Sequence, residues 1–202
     1  FLAGELDDLA APESTVELLS PVPSPTSMRD GYAFRQHVAT ARRNRGVEMI
    51  PEFDEFPVFY FTNHNAVLGG GDLRVLPDHL QRLDFELECA IVVGKHGRNL
   101  RASEADAWIH GLCIMNDFSA RQLQMEEMKL NLGPAKGKDF ATSLGPWLVT
   151  LDELEDRRVD GPYGATWDLG MRAYHNGELV SEGNLKDMNW TFAEILERAS
   201  YG

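Results

Sequence analysis

The clearest pattern of apolar and polar positions in the chain lies in residues 84–93. Apolar and acidic residues alternate there and then give way to an apolar run, which predicts a β-strand. Because side chains alternate along a strand, Glu86 and Glu88 lie on one face and the apolar residues on the other. Two neighbouring carboxylates repel each other, and partial burial makes their charge more costly. The pair is therefore stable either on a solvent-facing edge strand or around a bound cation.

A second pattern, with a helical period, covers residues 31–43. Its apolar residues recur three and four positions apart, and Asp30 is placed to cap the N-terminus of the predicted helix. Asp30 and His37 are separated by about 10 Å, or two turns, along such a helix, so their side chains would lie on the same side. A helix cap and an ordinary surface histidine account for the same two residues.

The remaining predicted elements are short and are separated by Gly, Pro and polar residues. The pair Asn176-Gly177 predicts the tight turn of a hairpin, and Thr191 with Glu194 predicts a capping box at the start of the last helix. The glycine run at 69–71 lacks the strand-then-helix setting of a nucleotide-binding loop, so we interpret it as a turn. Further predictions are strands at 16–19, 57–61, 111–117 and 146–150, a hairpin at 169–182, helices at 119–127 and after Ser103, and a loop at 133–140.

These patterns divide the chain into three predicted segments. Residues 1–29 are rich in Pro and Ser and form an extended N-terminal segment. Residues 30–50 form a lid-like helical segment, and residues 51–202 form the core. We find no internal repeat and no regular alternation of strands and helices, which argues against a doubly wound sheet. The chain stops directly after the last predicted helix, so we expect the core to be incomplete at its C-terminus.

The composition indicates an ordinary globular domain and excludes two classes of partner. A chain of 202 residues with 43% hydrophobic residues buries a core without covalent staples. Its formal net charge of −13 argues against nucleic acids and anionic membrane surfaces. Cys89 and Cys113 lie in apolar runs and are typical of unpaired core cysteines in a reducing compartment. The sequence also contains no apolar run long enough to cross a membrane. Together with the unpaired cysteines, this predicts a cytoplasmic protein.

Acidic residues are predicted at the ends of more than one strand. Asp117 follows an apolar strand-like run, as Glu86 and Glu88 precede one. No cluster of histidines or cysteines accompanies these acids, so a hard cation that prefers oxygen ligands fits them. Mg²⁺, Ca²⁺ and Mn²⁺ meet this description, whereas Zn²⁺ and copper do not. Capping the helix that follows is the alternative role for Asp117.

Four separated motifs then occur in a recognisable order. They are Met-Arg-Asp-Gly-Tyr-Ala-Phe-Arg-Gln-His at 28–37, Asp-Phe-Glu-Leu-Glu at 84–88, Met-Asn-Asp-Phe-Ser-Ala-Arg at 115–121 and Gly-Lys-Asp-Phe at 137–140. Together they resemble the catalytic domain of the fumarylacetoacetate hydrolase family, from about Pro21 to the end of the chain. One such motif would be weak, but four in order are specific.

The resemblance implies a role for each residue that matches a family motif. It also implies a mainly β (α+β) fold, a rolled mixed β-sheet with peripheral helices, that forms homodimers. The cofactor implied is Mg²⁺, with Ca²⁺ or Mn²⁺ as alternatives. The implied residues are the metal ligands Asp30, Glu86, Glu88 and Asp117, the water-activating base His37, the lysine beside the metal Lys138, and the substrate-binding residues Tyr32, Tyr60, Arg121 and Gln124.

The activity implied is that of a divalent-metal-dependent hydrolase in the catabolism of aromatic compounds. It would cleave the C–C bond of a 1,3-diketo acid of the fumarylacetoacetate or acylpyruvate type, through a metal-bound enolate. An isomerase, a 2-oxo-acid decarboxylase or a hydratase would use the same metal site, and a non-catalytic binding homologue is a further alternative. The sequence departs from the family by lacking its C-terminal Gly-Asp strand and Gly-Thr loop. The glutamate that orients the histidine in some members can lie in that segment. Glu48, Glu52 and Glu55 are close to His37 in the sequence, and no pattern selects one of them as its partner.

Overall fold

Short helices and strands surround two long paired strands in the computed structural model, which describes residues 10–44 and 46–202. The architecture is α+β, as predicted. The strands are β1 (Met28–Asp30), β2 (Tyr60–Thr62), β3 (Val67–Leu68), β4 (Leu83–Val93), β5 (Ile109–Ala120), β6 (Thr142–Leu144), β7 (Val149–Thr150), β8 (Arg158–Val159), β9 (Thr166–Trp167), β10 (Gly170–His175) and β11 (Glu178–Asn184). The helices are α1 (Arg35–Asn44), α2 (Pro77–Leu80), α3 (Ala102–Ala105), α4 (Arg121–Glu127) and α5 (Phe192–Ser200).

The main sheet is mixed, which confirms the predicted type of sheet. Its order is β3-β6-β5-β4, with β7 also paired to β5. The pair β3–β6 is parallel, whereas β5 runs antiparallel to β4, β6 and β7. The long strands β4 and β5 pair along nearly their whole length, and their register places Glu86 directly opposite Asp117. This register determines which acidic side chains meet.

The other described strands pair in two-stranded sheets. In the pair β1–β2, Asp30 lies opposite Tyr60. The hairpin β10–β11 turns at Asn176 and Gly177, which have φ angles of 51° and 85°. Positive φ at both central residues is the geometry that favours Asn-Gly in such turns, so the predicted hairpin is confirmed.

The predicted start of the first helix is wrong. Asp30 is the last residue of β1, not an N-cap, and α1 begins at Arg35. The backbone of Asp30 pairs with β2, so Asp30 is part of a strand and does not cap the helix. Gly31 then passes so close to β2 that an added Cβ would lie 2.5 Å from the carbonyl oxygen of Val58. The helical spacing expected between Asp30 and His37 therefore does not exist.

Several other boundaries also differ from the predictions. Residues 16–19 are irregular and do not form the predicted strand. The strand predicted at 57–61 is β2, shifted towards its C-terminal end, and the one at 146–150 is reduced to β7. Asp117 lies inside β5 rather than at a strand end. Since β5 stays paired with β4 through Ala120, α4 starts two residues later than predicted.

The main apolar core lies between the β4–β5 pair and the C-terminal elements. Trp167 and Leu185 are almost fully buried at its centre, and Phe192 of α5 packs onto them. The capping box that holds the start of α5 is confirmed, because Thr191 and Glu194 exchange backbone-to-side-chain hydrogen bonds of 2.9 and 3.2 Å. This core packs against the face of β4 that is opposite to Glu86 and Glu88.

Two further features of the chain bear on the predictions. Cys89 and Cys113 are both free thiols, as expected. Among the described residues, no helix combines the length and apolar character needed to cross a lipid bilayer. The cytoplasmic location and the division at residues 29 and 50 stay predictions.

Candidate metal centre

Three acidic side chains share one face of the β4–β5 pair. Glu86 and Glu88 are two positions apart on β4, and Asp117 lies opposite Glu86 on β5. Residues directly opposite each other on paired strands point to the same side of the sheet. The alternation that predicted a common face for the two glutamates therefore places Asp117 on that face as well. Asp117 is fully buried.

The β1–β2 pair supplies a fourth acid and a tyrosine. The hydroxyl group of Tyr60 lies 2.9 Å from Oδ2 of Asp30 and 2.8 Å from Oδ2 of Asp117. Tyrosine has a single hydroxyl proton, so it donates to only one carboxylate at a time. The second short contact therefore requires a proton on a carboxyl group. Asp30 can carry this proton, because its pKa is raised to about 7.

Asp30, Glu88 and Asp117 form a compact cluster. One carboxylate oxygen from each lies within 4.8 Å of the others, a spacing that could hold a metal ion. The Oδ1 atom of Asp117 is buried without any hydrogen-bond partner. Buried carboxylate oxygens are rarely left unpaired, and a coordinated cation would satisfy this one. The oxygen-only donor set fits Mg²⁺, Ca²⁺ or Mn²⁺.

Glu86 differs from the other three acids because two cations hold it. Its Oε1 lies 2.7 Å from Nη2 of Arg121, and its Oε2 lies 2.8 Å from Nζ of Lys138. Lys138 also lies 2.6 Å from Oδ2 of Asp117. Both oxygens of Glu86 are thus engaged, and it lies outside the compact cluster. Its assignment as a metal ligand stays a prediction.

The pKa values of these groups follow from burial and charge. Burial and the neighbouring Asp117 raise the pKa of Asp30 to about 7, and burial with the charge of Asp30 raises that of Glu88. Burial alone would also raise the pKa of Glu86, but Lys138 and Arg121 outweigh it and lower it to about 2. Burial opposes the charge on Lys138, yet its carboxylate neighbours keep its pKa raised.

The charges of the site balance only when protons or a further cation are added to its four carboxylates and two cationic side chains. Four buried or half-buried carboxylates face two cationic side chains, which leaves two negative charges. Without a metal, the raised pKa values mean that protons on Asp30 and Glu88 provide the balance. A divalent cation would provide the same two charges. The electrostatics therefore fit the predicted type of cofactor.

The structure brings some of the predicted substrate-binding residues to this site. Arg121 bridges Glu86 and Asp84, and its Nη1 donates to Oε1 of Gln124 at 3.0 Å. Tyr60 lies between two of the acids, as described above. Tyr32 is separate: it is 46% exposed and stacks on Phe53, with ring centroids 6.2 Å apart. The substrate-binding role of all four residues stays a prediction.

His37 lies on the exposed side of α1. No hydrogen bond or ion pair joins it to any other residue in the part of the chain that the structure describes. The structure therefore does not place its imidazole against the carboxylates, and its role as the base stays a prediction.

A cavity of about 230 Å³ opens beside the acids and contains residues that the sequence did not single out. Tyr60 and Lys138 line it, together with Thr62 and Asp139. Thr62 is 7% exposed, and its hydroxyl oxygen has no hydrogen-bond partner. The strand period could have identified Thr62, because it lies two residues after Tyr60 on β2. Asp139 belongs to the Gly-Lys-Asp-Phe motif at 137–140, but the resemblance gave it no role.

The motifs that build this site match a known family. The model of the fumarylacetoacetate (FAA) hydrolase C-terminal domain matches residues 26–202 of the chain. The chain belongs to the fumarylacetoacetate hydrolase family. The resemblance inferred from the four motifs is thereby confirmed. The matched segment contains all of the acidic residues discussed above, as well as Tyr60, Arg121 and Lys138.

The relatives that the chain matches differ in their activities. It is 31% identical over 85% of its length to fumarylacetoacetase of Bos taurus, covering 50% of that protein. It is also 31% identical over 96% of its length to a Homo sapiens oxaloacetate tautomerase (FAHD2A, mitochondrial), covering 56% of it. A solved structure of 5-carboxymethyl-2-hydroxymuconate delta-isomerase from Mycobacterium smegmatis matches with a TM-score of 0.69 and 26% identity, over 94% of this chain and 65% of the other.

The chain spans about half the length of the curated relatives it matches. Membership of the family therefore holds for the matched segment and its fold. A hydrolase, a tautomerase and an isomerase are all represented among the relatives, so family membership alone does not select one reaction.

Proposed function

We propose that the chain is the catalytic part of a divalent-cation-dependent hydrolase. Its substrate would be a 1,3-diketo acid of the fumarylacetoacetate or acylpyruvate type, cleaved at a C–C bond. The observation that carries the proposal is the cluster of Asp30, Glu88 and Asp117 beside the buried ammonium group of Lys138. The likeness to bovine fumarylacetoacetase supports it. We propose Mg²⁺ as the cation, with Ca²⁺ or Mn²⁺ as alternatives.

The chemistry suits these residues. A divalent cation held by Asp30, Glu88 and Asp117 would polarise a carbonyl group and orient neighbouring oxygens of the substrate. Cleavage of the C–C bond leaves a carbanion next to a carbonyl group, so negative charge develops on an oxygen. Lys138 has three N–H donors and uses two of them on Asp117 and Glu86. The third is available to an oxygen in the adjacent cavity, where a fixed positive charge stabilises it.

We assign the water-activating role to His37. A neutral imidazole accepts a proton from water near neutral pH. This role requires α1 to lie closer to the carboxylates when substrate is bound. Catalytic hydrogen bonds are often long in ligand-free enzymes and shorten in the substrate complex, so the exposed position of His37 is compatible with the role.

Steady-state hydrolysis of an acylpyruvate tests this function. We expect turnover that EDTA abolishes and that Mg²⁺ restores. His37→Asn should lower kcat by about 10²–10⁴-fold, the usual contribution of a general base. The matched control is His175→Asn, an exposed histidine on the hairpin β10–β11, which should leave kcat unchanged. An unchanged kcat in His37→Asn would remove the proposed base, and turnover that resists EDTA would remove the cation.

A second function, keto–enol tautomerisation or double-bond isomerisation of an oxo acid, is favoured by the position of His37. Both reactions move a proton between carbon and oxygen and need no water-activating base. In the described residues, His37 has no contact that would hold it at the carboxylates. The likeness to the human oxaloacetate tautomerase and the mycobacterial isomerase supports this alternative.

Product analysis separates these reactions. The protein is incubated with Mg²⁺ and either an acylpyruvate, enol-oxaloacetate or a hydroxydienoate, and products are identified by NMR. Pyruvate together with the carboxylic acid of the acyl group indicates the hydrolase, because water adds across the cleaved C–C bond. A changed enol or double-bond position without cleavage indicates the tautomerase or isomerase. Loss of CO₂ would indicate a decarboxylase, addition of water a hydratase, and binding without turnover a non-catalytic homologue.

We further propose that the protein acts as a cytoplasmic homodimer without nucleic-acid or membrane partners. The negative net charge of −13 supports the absence of nucleic-acid binding. Light scattering at micromolar concentration measures the oligomeric state directly, and a mass of one chain would contradict the dimer.

A further inference from the structure

The carboxylate of Glu127 holds the loop that carries Lys138. It accepts hydrogen bonds from three successive backbone N–H groups, those of Ala135, Lys136 and Gly137, at 3.0, 2.7 and 3.1 Å. Successive N–H groups directed at one anion form a nest, and a charged acceptor makes each hydrogen bond stronger than a neutral one. Lys138 is the next residue in the chain.

The position of Glu127 is unfavourable for a carboxylate unless it has such partners. It is the last residue of α4, where the unpaired carbonyl groups carry the negative end of the helix dipole. No lysine or arginine forms an ion pair with it among the described residues. Burial would raise the pKa of Glu127, but the three N–H groups of the loop, together with the charge of Lys136, outweigh it and lower the pKa. Helix stability alone does not account for an acid at this position.

The same loop also contacts the end of β5 and the first turn of α4. The N–H of Ala120, the last residue of β5, donates to the carbonyl oxygen of Gly137 at 2.8 Å. A Cβ atom at Gly137 would lie 2.6 Å from the backbone nitrogen of Gln124, so no residue but glycine fits there without displacement. The loop backbone is thus fixed to α4 from Ala135 to Gly137. The main-chain position of Lys138 is set by these contacts.

We propose that Glu127 is a positioning residue that holds Lys138 between Glu86 and Asp117. Its hydrogen bonds fix the loop, and the loop in turn fixes the buried ammonium group, which is 3% exposed. The effect on the loop rests on the geometry alone. The consequence for catalysis rests on the proposed function, in which Lys138 stabilises an oxyanion.

The accessibility of Lys138 provides a test that needs no substrate. Glu127→Gln removes the charge and weakens at least two of the three hydrogen bonds, so the loop should open more often. We expect Lys138 to react with acetic anhydride about tenfold faster than in the wild type, as follows from weakened hydrogen bonds to a charged acceptor. Peptide mass spectrometry measures each lysine separately. Lys186, whose side chain is 43% exposed and lies outside this loop, is the internal reference and should react equally fast in all variants.

Two controls distinguish local opening from general destabilisation. Glu126→Gln makes the same chemical change one residue earlier, where the carboxylate bonds only to Gln122 of the same helix, and should leave Lys138 protected. The thiol of Cys113, 5% exposed in the main sheet, reports opening of the whole fold and should stay unreactive to iodoacetamide in Glu127→Gln. The proposal is overturned if Lys138 reacts no faster than in Glu126→Gln, or if its labelling and that of Cys113 rise together.

The catalytic consequence is measured separately. With an acylpyruvate and Mg²⁺, Glu127→Gln should lower kcat at least tenfold with a nearly unchanged KM, because Lys138 would act on charge that develops during the reaction. If the wild type does not turn over the acylpyruvate, the proposed function is refuted, whereas the labelling result still stands. An unchanged kcat together with faster labelling of Lys138 refutes the link to catalysis alone.

Discussion

At the scale of single residues, charge explains why these acids lie together. Lys138 and Arg121 neutralise two of the four negative charges, and they act mainly on Glu86 and Asp117. Among the described residues, no lysine or arginine forms a salt bridge with Asp30 or Glu88, and the pKa values of both are raised. Proton binding and metal binding therefore compete for the same oxygens. This competition makes both stability and metal affinity depend on pH.

The metal-free protein should become less stable as the pH rises towards neutrality. Burial and Asp117 raise the pKa of Asp30 from its ordinary 3.8 to about 7, so the folded state holds a proton that the unfolded state releases. The stability from this proton is complete below pH 3.8 and is lost as the pH rises to about 7. Urea unfolding in EDTA from pH 5 to 8 measures this, and Asp30→Asn should flatten the decline. The stabilisation added by Mg²⁺ should grow over the same interval, and a pH-independent effect of Mg²⁺ would contradict this account.

Removal of Lys138 should destabilise the protein strongly. Its ammonium group is almost fully buried between two carboxylates, and Lys138→Met leaves these charges uncompensated. Loss of one partner of a buried ion pair typically costs about 3–5 kcal/mol of unfolding free energy. Lys136→Met in the same loop removes an exposed ion pair to Asp139 and should cost less than about 1 kcal/mol. Urea denaturation of both variants compares these values, and equal losses would show that burial of the charge does not matter.

At the scale of elements, the strand period was predictable and the strand partners were not. The alternation around Glu86 and Glu88 identified their common face because a period of two is visible in one strand alone. The pairing of Asp117 with Glu86 depends on the register of β4 and β5, which tertiary packing determines. The three-residue strand that contains Asp30 is too short to show a period, so helical spacing on its C-terminal side led to a wrong N-cap.

The loop that holds Lys138 shows a similar limit. A Gly-Lys pair in a loop is evident in the sequence, but the contact of Glu127 with the loop amides joins residues eight to ten positions apart. No periodic pattern relates a helix end to a loop. The strand period could have identified Thr62, whereas Asp139 was visible only as part of the Gly-Lys-Asp-Phe motif.

The β4–β5 register predicts which substitutions remove metal binding. Glu88→Gln and Asp117→Asn keep the shape of the side chain but replace a charged ligand by a neutral one. We expect each to weaken Mg²⁺ binding by more than the roughly 10–100-fold lost with an outer-shell partner. Asp84→Asn is the matched control, because Asp84 lies on the same face of β4 but bonds to Arg121 outside the cluster. Calorimetric titration with Mg²⁺ measures all three, and an equal affinity in Glu88→Gln and Asp84→Asn would contradict the cluster.

At the scale of the whole molecule, the order of four motifs predicted the family correctly, although no single motif was specific. The α+β architecture and the mixed sheet were predicted with it. The sequence predicted the reaction less well than the family, because the relatives that the chain matches include a hydrolase, a tautomerase and an isomerase. These reactions share a carbanion next to a carbonyl group. A cation site that would suit all three reactions therefore does not by itself identify the reaction.

The proposed function depends on a divalent cation held by Asp30, Glu88 and Asp117. Crystals grown with Mn²⁺ test it most directly, because the anomalous scattering of manganese locates the ion without reference to the protein. We predict an anomalous peak within coordination distance of one carboxylate oxygen from each of these three residues, with Oδ1 of Asp117 among them. A map with no peak at this cluster, or with manganese bound only at other acidic residues, would contradict the account.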